Sequence, residues 1–330
     1  SSITQLSWST YLAPDYDDRT RLLTLRELMA LLGMFCVITI PAIVELYDTS
    51  LSAKVSAIGI FVLIAIPILT LNGLYQVPDT KSAKVVAKVE NPLKTFKSLF
   101  GNTMLNKIVL AAGLIGFCMS LNGALYLIWM DVVMELPEYS SRLMLMYYLV
   151  SVVGLGLWRY LSIKTSKHFA AGVACFYAII ILLIGFVGFF IIRDLDTEIK
   201  LIAVGSFIIL YGFSFSGPMP LINAIIADIS DKLSVDNNEN ISGTVFSYLT
   251  TITKVGFGLA AVIPYLVLEL IWGFDIKLGV ENTESSKMAI FYIYTFVPIV
   301  CYTIASYMLF SHSLGRDEHE KIKSAIEEGS

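Results

Sequence analysis

Long apolar runs separated by short polar segments dominate the pattern of residues along the chain. A helix needs about 20 mainly apolar residues to cross the hydrocarbon core of a bilayer. Eight segments meet that requirement: residues 25–46, 55–77, 108–134, 143–161, 169–192, 201–227, 243–273 and 288–311. Because these runs are long and do not alternate as barrel strands do, they predict an all-α, polytopic membrane protein with eight transmembrane helices.

One long polar connection, residues 78–107, follows the second predicted helix. Its lysines and the helix-like spacing of Val85, Val86 and Val89 predict an amphipathic helix on the cytoplasmic membrane surface. We expect three further regions: a two-helix remnant of an N-terminal bundle at residues 1–77, a six-helix bundle at residues 108–311, and a cytoplasmic tail at residues 312–330.

Lysine and arginine are distributed unequally between the two sets of alternating loops. One set, which includes both termini, carries 16 of these residues, and the other set carries 6. Cytoplasmic loops are enriched in Lys and Arg, so both termini are predicted to be cytoplasmic. We expect the chain to lie in the inner membrane of a bacterium.

Composition supports the membrane assignment and removes several other classes. The apolar fraction is 56% and the charged fraction 15%, against about 45–50% and about 25% in soluble domains. A net charge of −4 without a basic face argues against a nucleic-acid partner. The four cysteines lie in separate apolar runs without metal-ligand spacing, so we expect no metal centre and no resident cofactor.

Lys254 lies near the middle of the segment 243–273. An isolated cation near the bilayer centre costs about 2.5–3.5 kcal/mol, and such residues usually face an aqueous pathway. We therefore interpret Lys254 as lining a cavity; a structural ion pair or snorkelling is the alternative. Thr250, one turn earlier on the same face, lines the cavity as well unless its hydroxyl bonds its own helix backbone. We predict that Lys254 is exposed on a concave polar face without a carboxylate partner in this chain.

A second candidate face lies on the segment 108–134. Asn122, Tyr126 and Trp129 follow one another at i, i+4 and i+7, so they share one side of a helix. An amide beside stacked aromatic rings suits a sugar, which has an apolar face and a rim of hydroxyls. The alternative is an aromatic belt at the membrane interface, where Trp and Tyr also collect.

The segment 201–227 contains signals that interrupt a helix. Gly217 and Pro218 adjoin one another, and Pro220 follows two residues later. Carbonyl groups that lose their donors at proline need other partners inside a membrane. A hinge for alternating access and a static kink are both compatible with this pattern.

Three stretches together resemble a known family. YLAPDYDDRTRL at residues 11–22 is similar to the cytoplasmic loop between helices 4 and 5 of the glycoside-pentoside-hexuronide cation symporters, the melibiose-permease-like branch of the major facilitator superfamily. PLINAIIADISD at residues 220–231 resembles the end of their helix 10, and GTVFSYLTTITK at residues 243–254 resembles their helix 11 with its intramembrane lysine. The chain departs from the family at residues 237–242, where the usual basic residues are missing.

The resemblance implies a fold and a mechanism. The eight segments would be helices 5–12 of a twelve-helix transporter that is truncated at its N-terminus. The expected function is symport of a sugar or glycoside, coupled to Na⁺ or H⁺, in which Lys254 couples cation occupancy to substrate binding. Most of the coupling-ion site and much of the sugar contact surface would then belong to helices 1, 2 and 4.

Charged residues near the cytoplasmic ends form a predicted gating network. Asp228 and Asp231 lie one turn apart, and we expect a salt bridge to Arg159 or Lys164. A second group precedes the first helix and comprises Asp15, Asp18, Arg19 and Arg21. For that group a solvated loop is an equal alternative.

Three other functions are alternatives to symport. Transport of a lipid or another organic solute requires the same fold. A membrane-embedded transferase would need acids and histidines gathered at one face, but His168, His312 and His319 are all assigned to loops or the tail, so no enzyme activity is expected. A remnant that does not transport is the remaining alternative. The expected partners are a small-molecule substrate, such as a sugar, and the lipid bilayer.

Overall fold

The computed structural model describes residue 29 and residues 32–48, 51–76, 99–237 and 241–311. This part of the chain is helical and contains no strand. The helices are α1 (Leu32–Val44), α2 (Leu51–Gln76), α3 (Thr103–Ile128), α4 (Ser140–Lys164), α5 (Lys167–Ile192), α6 (Thr197–Phe215), α7 (Pro218–Asn237), α8 (Ser242–Trp272) and α9 (Glu284–Phe310). The all-α prediction is confirmed.

Seven helical segments among the described residues are long and apolar enough to cross a membrane, and α1 is a shorter apolar helix. The crossing predicted at residues 201–227 consists of two helices, α6 and α7, which Ser216 and Gly217 separate. Pro218 and Pro220 supply no N–H to the helical ladder, which explains the predicted break. The amphipathic helix predicted before α3 falls largely outside the described residues.

Local sequence fixes several helix ends. The side chain of Asn102 accepts the N–H of Leu105 at 2.9 Å before α3, and Ser166 accepts that of Phe169 at 3.1 Å before α5. Such caps satisfy donors that have no partner in the first turn of a helix. At the end of α3 the turn widens into a π-helix, Trp129–Val133.

The described residues fall into two compact units. One holds α1, α2 and the first turn of α4, Ser141–Leu145, and the other holds the rest of α4 and the remaining helices. In the second unit α3 is the central helix, and it packs against α7, α8 and α9. Small residues bring α3 and α8 together, because a β-carbon at Gly256 would lie 2.5 Å from the carbonyl oxygen of Gly113. Such close backbone approach is common where membrane helices associate.

The first unit has a buried carboxylate of its own. The side chain of Glu45 is fully buried, and its Oε1 lies 2.6 Å from the Nζ of Lys54 at the start of α2. The backbone N–H of Ser141 points at the same oxygen at 3.4 Å, and the Nε of Arg142 lies 3.7 Å from Oε2. A buried charge that is paired in this way avoids the large cost of an isolated one.

Candidate transport pathway

Helix α8 presents three chemically distinct faces. Its buried face packs on α3 and repeats every three or four residues, as one side of an α-helix requires: Leu249, Thr253, Gly256, Ala260, Pro264 and Leu268. A second, exposed face is apolar and consists of Val255, Leu259, Val262, Leu266 and Leu270. The third face carries small and polar residues: Ser247, Thr250, Lys254, Gly258, Ala261 and Tyr265.

Lys254 lies on the third face, about 18 Å along the helix from Ser242 at 1.5 Å per residue. Its side chain is exposed, and it forms no ion pair with any carboxylate of the described residues. Because the apolar face is the one suited to lipid, the lysine points away from the surface where its charge would cost most.

The hydroxyl of Thr250, unlike those of its neighbours, forms no hydrogen bond to its own helix backbone. Ser247, Thr251 and Thr253 each donate to the carbonyl oxygen four residues earlier, at 2.7, 2.8 and 2.8 Å. Thr250 has no hydrogen-bond partner among the described residues, and it lies one turn before Lys254 on the same face. The two side chains therefore offer a hydroxyl and an ammonium group to whatever fills the space beside them.

The amide and rings of α3 lie inside the second unit and face α6 and α9. Asn122 is buried, and its Nδ2 donates to the hydroxyl of Tyr211 on α6 at 2.5 Å. The hydroxyl of Tyr126 donates to the carbonyl oxygen of Ser140 at 2.8 Å. Within the described residues the Oδ1 of Asn122 has no partner. The amide therefore keeps an acceptor for a further polar group.

Trp129 begins the π-helical turn and is also buried. Its indole stacks on Tyr294 of α9 with ring centroids 4.9 Å apart, and it contacts Phe207 of α6 at 6.1 Å. Its Nε1 has no hydrogen-bond partner in the described part of the chain. All three side chains, those of Asn122, Tyr126 and Trp129, are therefore buried within the second unit.

The charges predicted to form a gate pair differently from the expectation. Asp228 bonds to Lys167 at 2.5 Å, not to Arg159 or Lys164. Lys167 belongs to the first turn of α5, which packs on α7, whereas Arg159 is exposed on α4. The Nζ of Lys164 lies over the ring of Tyr160 in its own helix, 5.7 Å from the centroid.

Other predicted site residues lie beyond the described structure. Asp231 belongs to α7, but its side chain is not among those described. Residues 1–28 are likewise outside, and they include Asp15, Asp18, Arg19 and Arg21. The assignment of His168 to a loop was wrong. Ser166 caps α5, so His168 lies in the first turn of that helix, and its side chain is buried.

Two residues with a place in these networks were missed from sequence. Tyr211, the partner of Asn122, forms an aromatic pair with Phe207 at i and i+4, a spacing that could have directed attention to that face of α6. Glu45 ends an apolar run and precedes Lys54 by nine residues, which is a readable signal for a hairpin ion pair. The described residues contain no group of three or more His, Cys, Asp or Glu side chains that could hold a metal ion.

Comparison with known families places these features in context. The model of one family, described as MFS/sugar transport protein, matches residues 1–316. The chain belongs to the MFS/sugar transport protein family. No curated protein matches the chain.

Members of the MFS/sugar transport protein family are membrane transporters, so the chain is an integral membrane transporter of the major facilitator type with a small-molecule substrate. The helical architecture agrees with that assignment, since seven apolar helices of the described chain can span a bilayer. The family is a family of transporters and not of enzymes.

Proposed function

We propose that the chain works in cation-coupled symport of a sugar or glycoside by alternating access, as in the melibiose-permease-like branch of the superfamily. The observation that carries the proposal is the third face of α8. There Lys254 and Thr250 present an ammonium and a hydroxyl group, and neither has a partner among the described residues. A pathway for an ion and a polar solute needs such groups on a side of the helix that lipid does not cover.

In this proposal Lys254 responds to the coupling ion, Na⁺ or H⁺, and Thr250 contacts water or substrate beside it. Asn122, Tyr126 and Trp129 form the substrate face of α3. The open acceptor of Asn122 and the open donor of Trp129 supply complementary partners for sugar hydroxyls. The buried aromatic rings supply the apolar surface that a sugar ring needs.

The charged groups near the cytoplasm serve as a gate. Asp228, which pairs with Lys167, and the exposed Arg159 are the members of this set whose side chains are described. Asp231 and the charged residues at positions 15–21 complete the proposed network. Both termini lie in the cytoplasm, and the membrane is the inner membrane of a bacterium. The excess of Lys and Arg in one set of loops supports this orientation.

Uptake by the full chain in proteoliposomes tests the proposal. Vesicles are loaded so that an inward gradient of Na⁺, of H⁺ or of neither is imposed, and accumulation of labelled mono- and disaccharides is followed. We expect one of the two gradients to drive accumulation of at least one sugar above its equilibrium level. Uptake that no gradient alters would contradict coupling, and transport of labelled lipid instead of sugar would favour another solute class.

A further inference from the structure

The break between α6 and α7 leaves the backbone carbonyl of Phe213 without its helical donor. In a continuous helix the N–H of Gly217 would donate to the carbonyl of Phe213, four residues earlier. It donates instead to Ser214, at 3.3 Å, because Pro218 has no N–H to offer that oxygen. The carbonyl of Phe213 therefore needs another partner, since a buried unpaired carbonyl is unfavourable.

Trp158 of α4 supplies that partner. Its Nε1 donates to the carbonyl oxygen of Phe213 at 2.6 Å, and the side chain is only 4% exposed. An indole has one donor and no acceptor, so this bond uses the whole hydrogen-bonding capacity of the side chain. The bond replaces the one that the N–H of Gly217 would make in a continuous helix.

Close packing fixes the indole at the break. Gly154 lies one turn before Trp158 on α4, and a β-carbon there would lie 2.8 Å from the carbonyl oxygen of Phe213. A β-carbon at Gly217 would lie 2.9 Å from the Cδ1 of Trp158. Glycine at both positions therefore lets α4 approach the break closely enough for the bond to form.

A neighbouring aromatic residue gives an internal comparison. The hydroxyl of Tyr177 on α5 donates to the carbonyl oxygen of Leu210 at 2.9 Å, and its ring meets that of Trp158 edge to face. Leu210 lies inside α6, so its carbonyl also has the regular donor four residues later. Tyr177 adds a bond to an intact ladder, whereas Trp158 replaces a missing one.

The segment that Trp158 holds carries a residue of the proposed substrate face. Tyr211 lies two residues before Phe213, and its hydroxyl accepts from Asn122 on α3. Where α6 ends therefore decides where this hydroxyl lies. A shift of the break would therefore move the Tyr211 hydroxyl and alter its bond to Asn122, although Trp158 need not contact α3.

We propose that Trp158 is a positioning residue for transport: its indole N–H holds the end of α6, and through it Tyr211, in the arrangement that the substrate face requires. The inference rests on the proposed function. It also assigns the Ser216–Gly217 break as a hinge whose resting position depends on one side-chain bond.

Trp158→Phe keeps an aromatic ring and removes the donor. We expect the KM for sugar uptake by the full chain to rise about threefold to tenfold, the effect of one lost hydrogen bond, with the maximal rate retained. Tyr177→Phe, the matched control, should change KM by less than about twofold because the ladder bond of Leu210 remains.

Combining Trp158→Phe with Tyr211→Phe tests whether the two residues act together, and the double variant should raise KM little beyond the larger single effect. Fully additive changes in KM, or an unchanged KM in Trp158→Phe, would overturn the positioning role.

Amide hydrogen exchange provides a readout that does not depend on the substrate. We expect faster exchange across residues 210–217 in Trp158→Phe and not in Tyr177→Phe; equal exchange in wild type and Trp158→Phe would overturn the bond's role at the hinge. If the wild type transports no sugar, the proposed function fails while this exchange result still decides whether Trp158 holds the break.

The Pro218→Ala background keeps the inference testable if Trp158→Phe alone does not fold. It restores an N–H for Ser214, which frees Gly217 to donate to Phe213 and makes Trp158 unnecessary. In this background Trp158→Phe should leave exchange and KM unchanged. If Trp158→Phe alone yields no folded protein, recovery of folding in the Pro218→Ala background supports the inference, and no recovery overturns it.

Discussion

Two neighbouring faces of α8 differ in how closely other helices pack against them. Gly256 is on the face that packs against α3, and its α-carbon approaches the carbonyl of Gly113 too closely for any side chain. Gly258, two residues later, has open space around it and lies on the face of Lys254. The same residue type therefore serves helix packing at one position and leaves room beside a charge at the other.

Within α8, we expect one face to determine stability and the other to determine transport. Buried contacts on the packing face contribute to the folded state. The polar face carries Lys254 and Thr250, which have no partner among the described residues. Changes on the first face should therefore alter the amount and stability of folded protein. Changes on the second should alter transport and leave folding as it is.

Lys254→Met should have the largest effect on transport. The change keeps the length and apolar stem of the side chain and removes the charge. We expect coupled uptake in proteoliposomes to fall on the order of 100-fold, because the charge that responds to the coupling ion in the proposed function is lost. The thermal unfolding midpoint should stay the same or rise, because an uncompensated charge is removed from the membrane.

Lys254→Arg is the control for charge alone. It should retain more uptake than Lys254→Met, although the guanidinium differs from an ammonium in shape and hydration. Full uptake by Lys254→Met, or a large loss of folded protein in that variant, would contradict the division between the two faces.

Gly256→Ala should have the largest effect on stability. The new methyl group would meet the carbonyl oxygen of Gly113 at 2.5 Å, so α3 and α8 must separate. Overpacking of this kind costs about 1–3 kcal/mol. Gly258→Ala is the matched control, and its unfolding free energy should lie within about 0.5 kcal/mol of wild type or exceed it, since alanine favours helix. Equal destabilisation by the two substitutions, measured by denaturant or thermal unfolding, would remove the comparison.

Much of the fold could be predicted from sequence because the thickness of the bilayer sets the length of each apolar helix. Each apolar run of about 20 residues has to be a helix, since hydrocarbon leaves no other partner for backbone groups. The break at Gly217 and Pro218 was also readable, because proline removes donors whatever surrounds it. The partner of the freed carbonyl, Trp158, was not, since it comes from another helix.

The candidate site was predictable only as far as one helix reaches. Periodicity placed Thr250 with Lys254, and Asn122 with Trp129, on common faces. It did not indicate that Tyr211 would receive the amide of Asn122 or that Lys167 would reach Asp228, because helix pairing decides both. The hydrogen-bonding state of Thr250 was an open alternative that required the positions of neighbouring carbonyls.

Thr250→Val tests the free hydroxyl on the polar face. Valine has nearly the same shape, so folding should be unaffected, and loss of one hydrogen bond to water or substrate should lower uptake about twofold to tenfold. Thr251→Val is the control, because the hydroxyl of Thr251 is already used by the carbonyl of Ser247. A larger loss of uptake in Thr251→Val than in Thr250→Val would show that the free hydroxyl is not the one that matters.

The smallest effect on uptake is expected for Lys167, which already forms an ion pair with a carboxylate. Lys167 and Asp228 join α5 to α7, and their side chains are 38% and 21% exposed. Partly exposed pairs contribute about 0–1 kcal/mol, so Lys167→Met or Asp228→Asn should change uptake less than about fivefold. The charge-reversed pair, Lys167→Asp with Asp228→Lys, should recover most of that loss if the bond acts as a gate. A loss in Lys167→Met as deep as that in Lys254→Met would mean that a lysine with a partner and one without are equally required. The polar face of α8 would then no longer be distinguished from the helix ends.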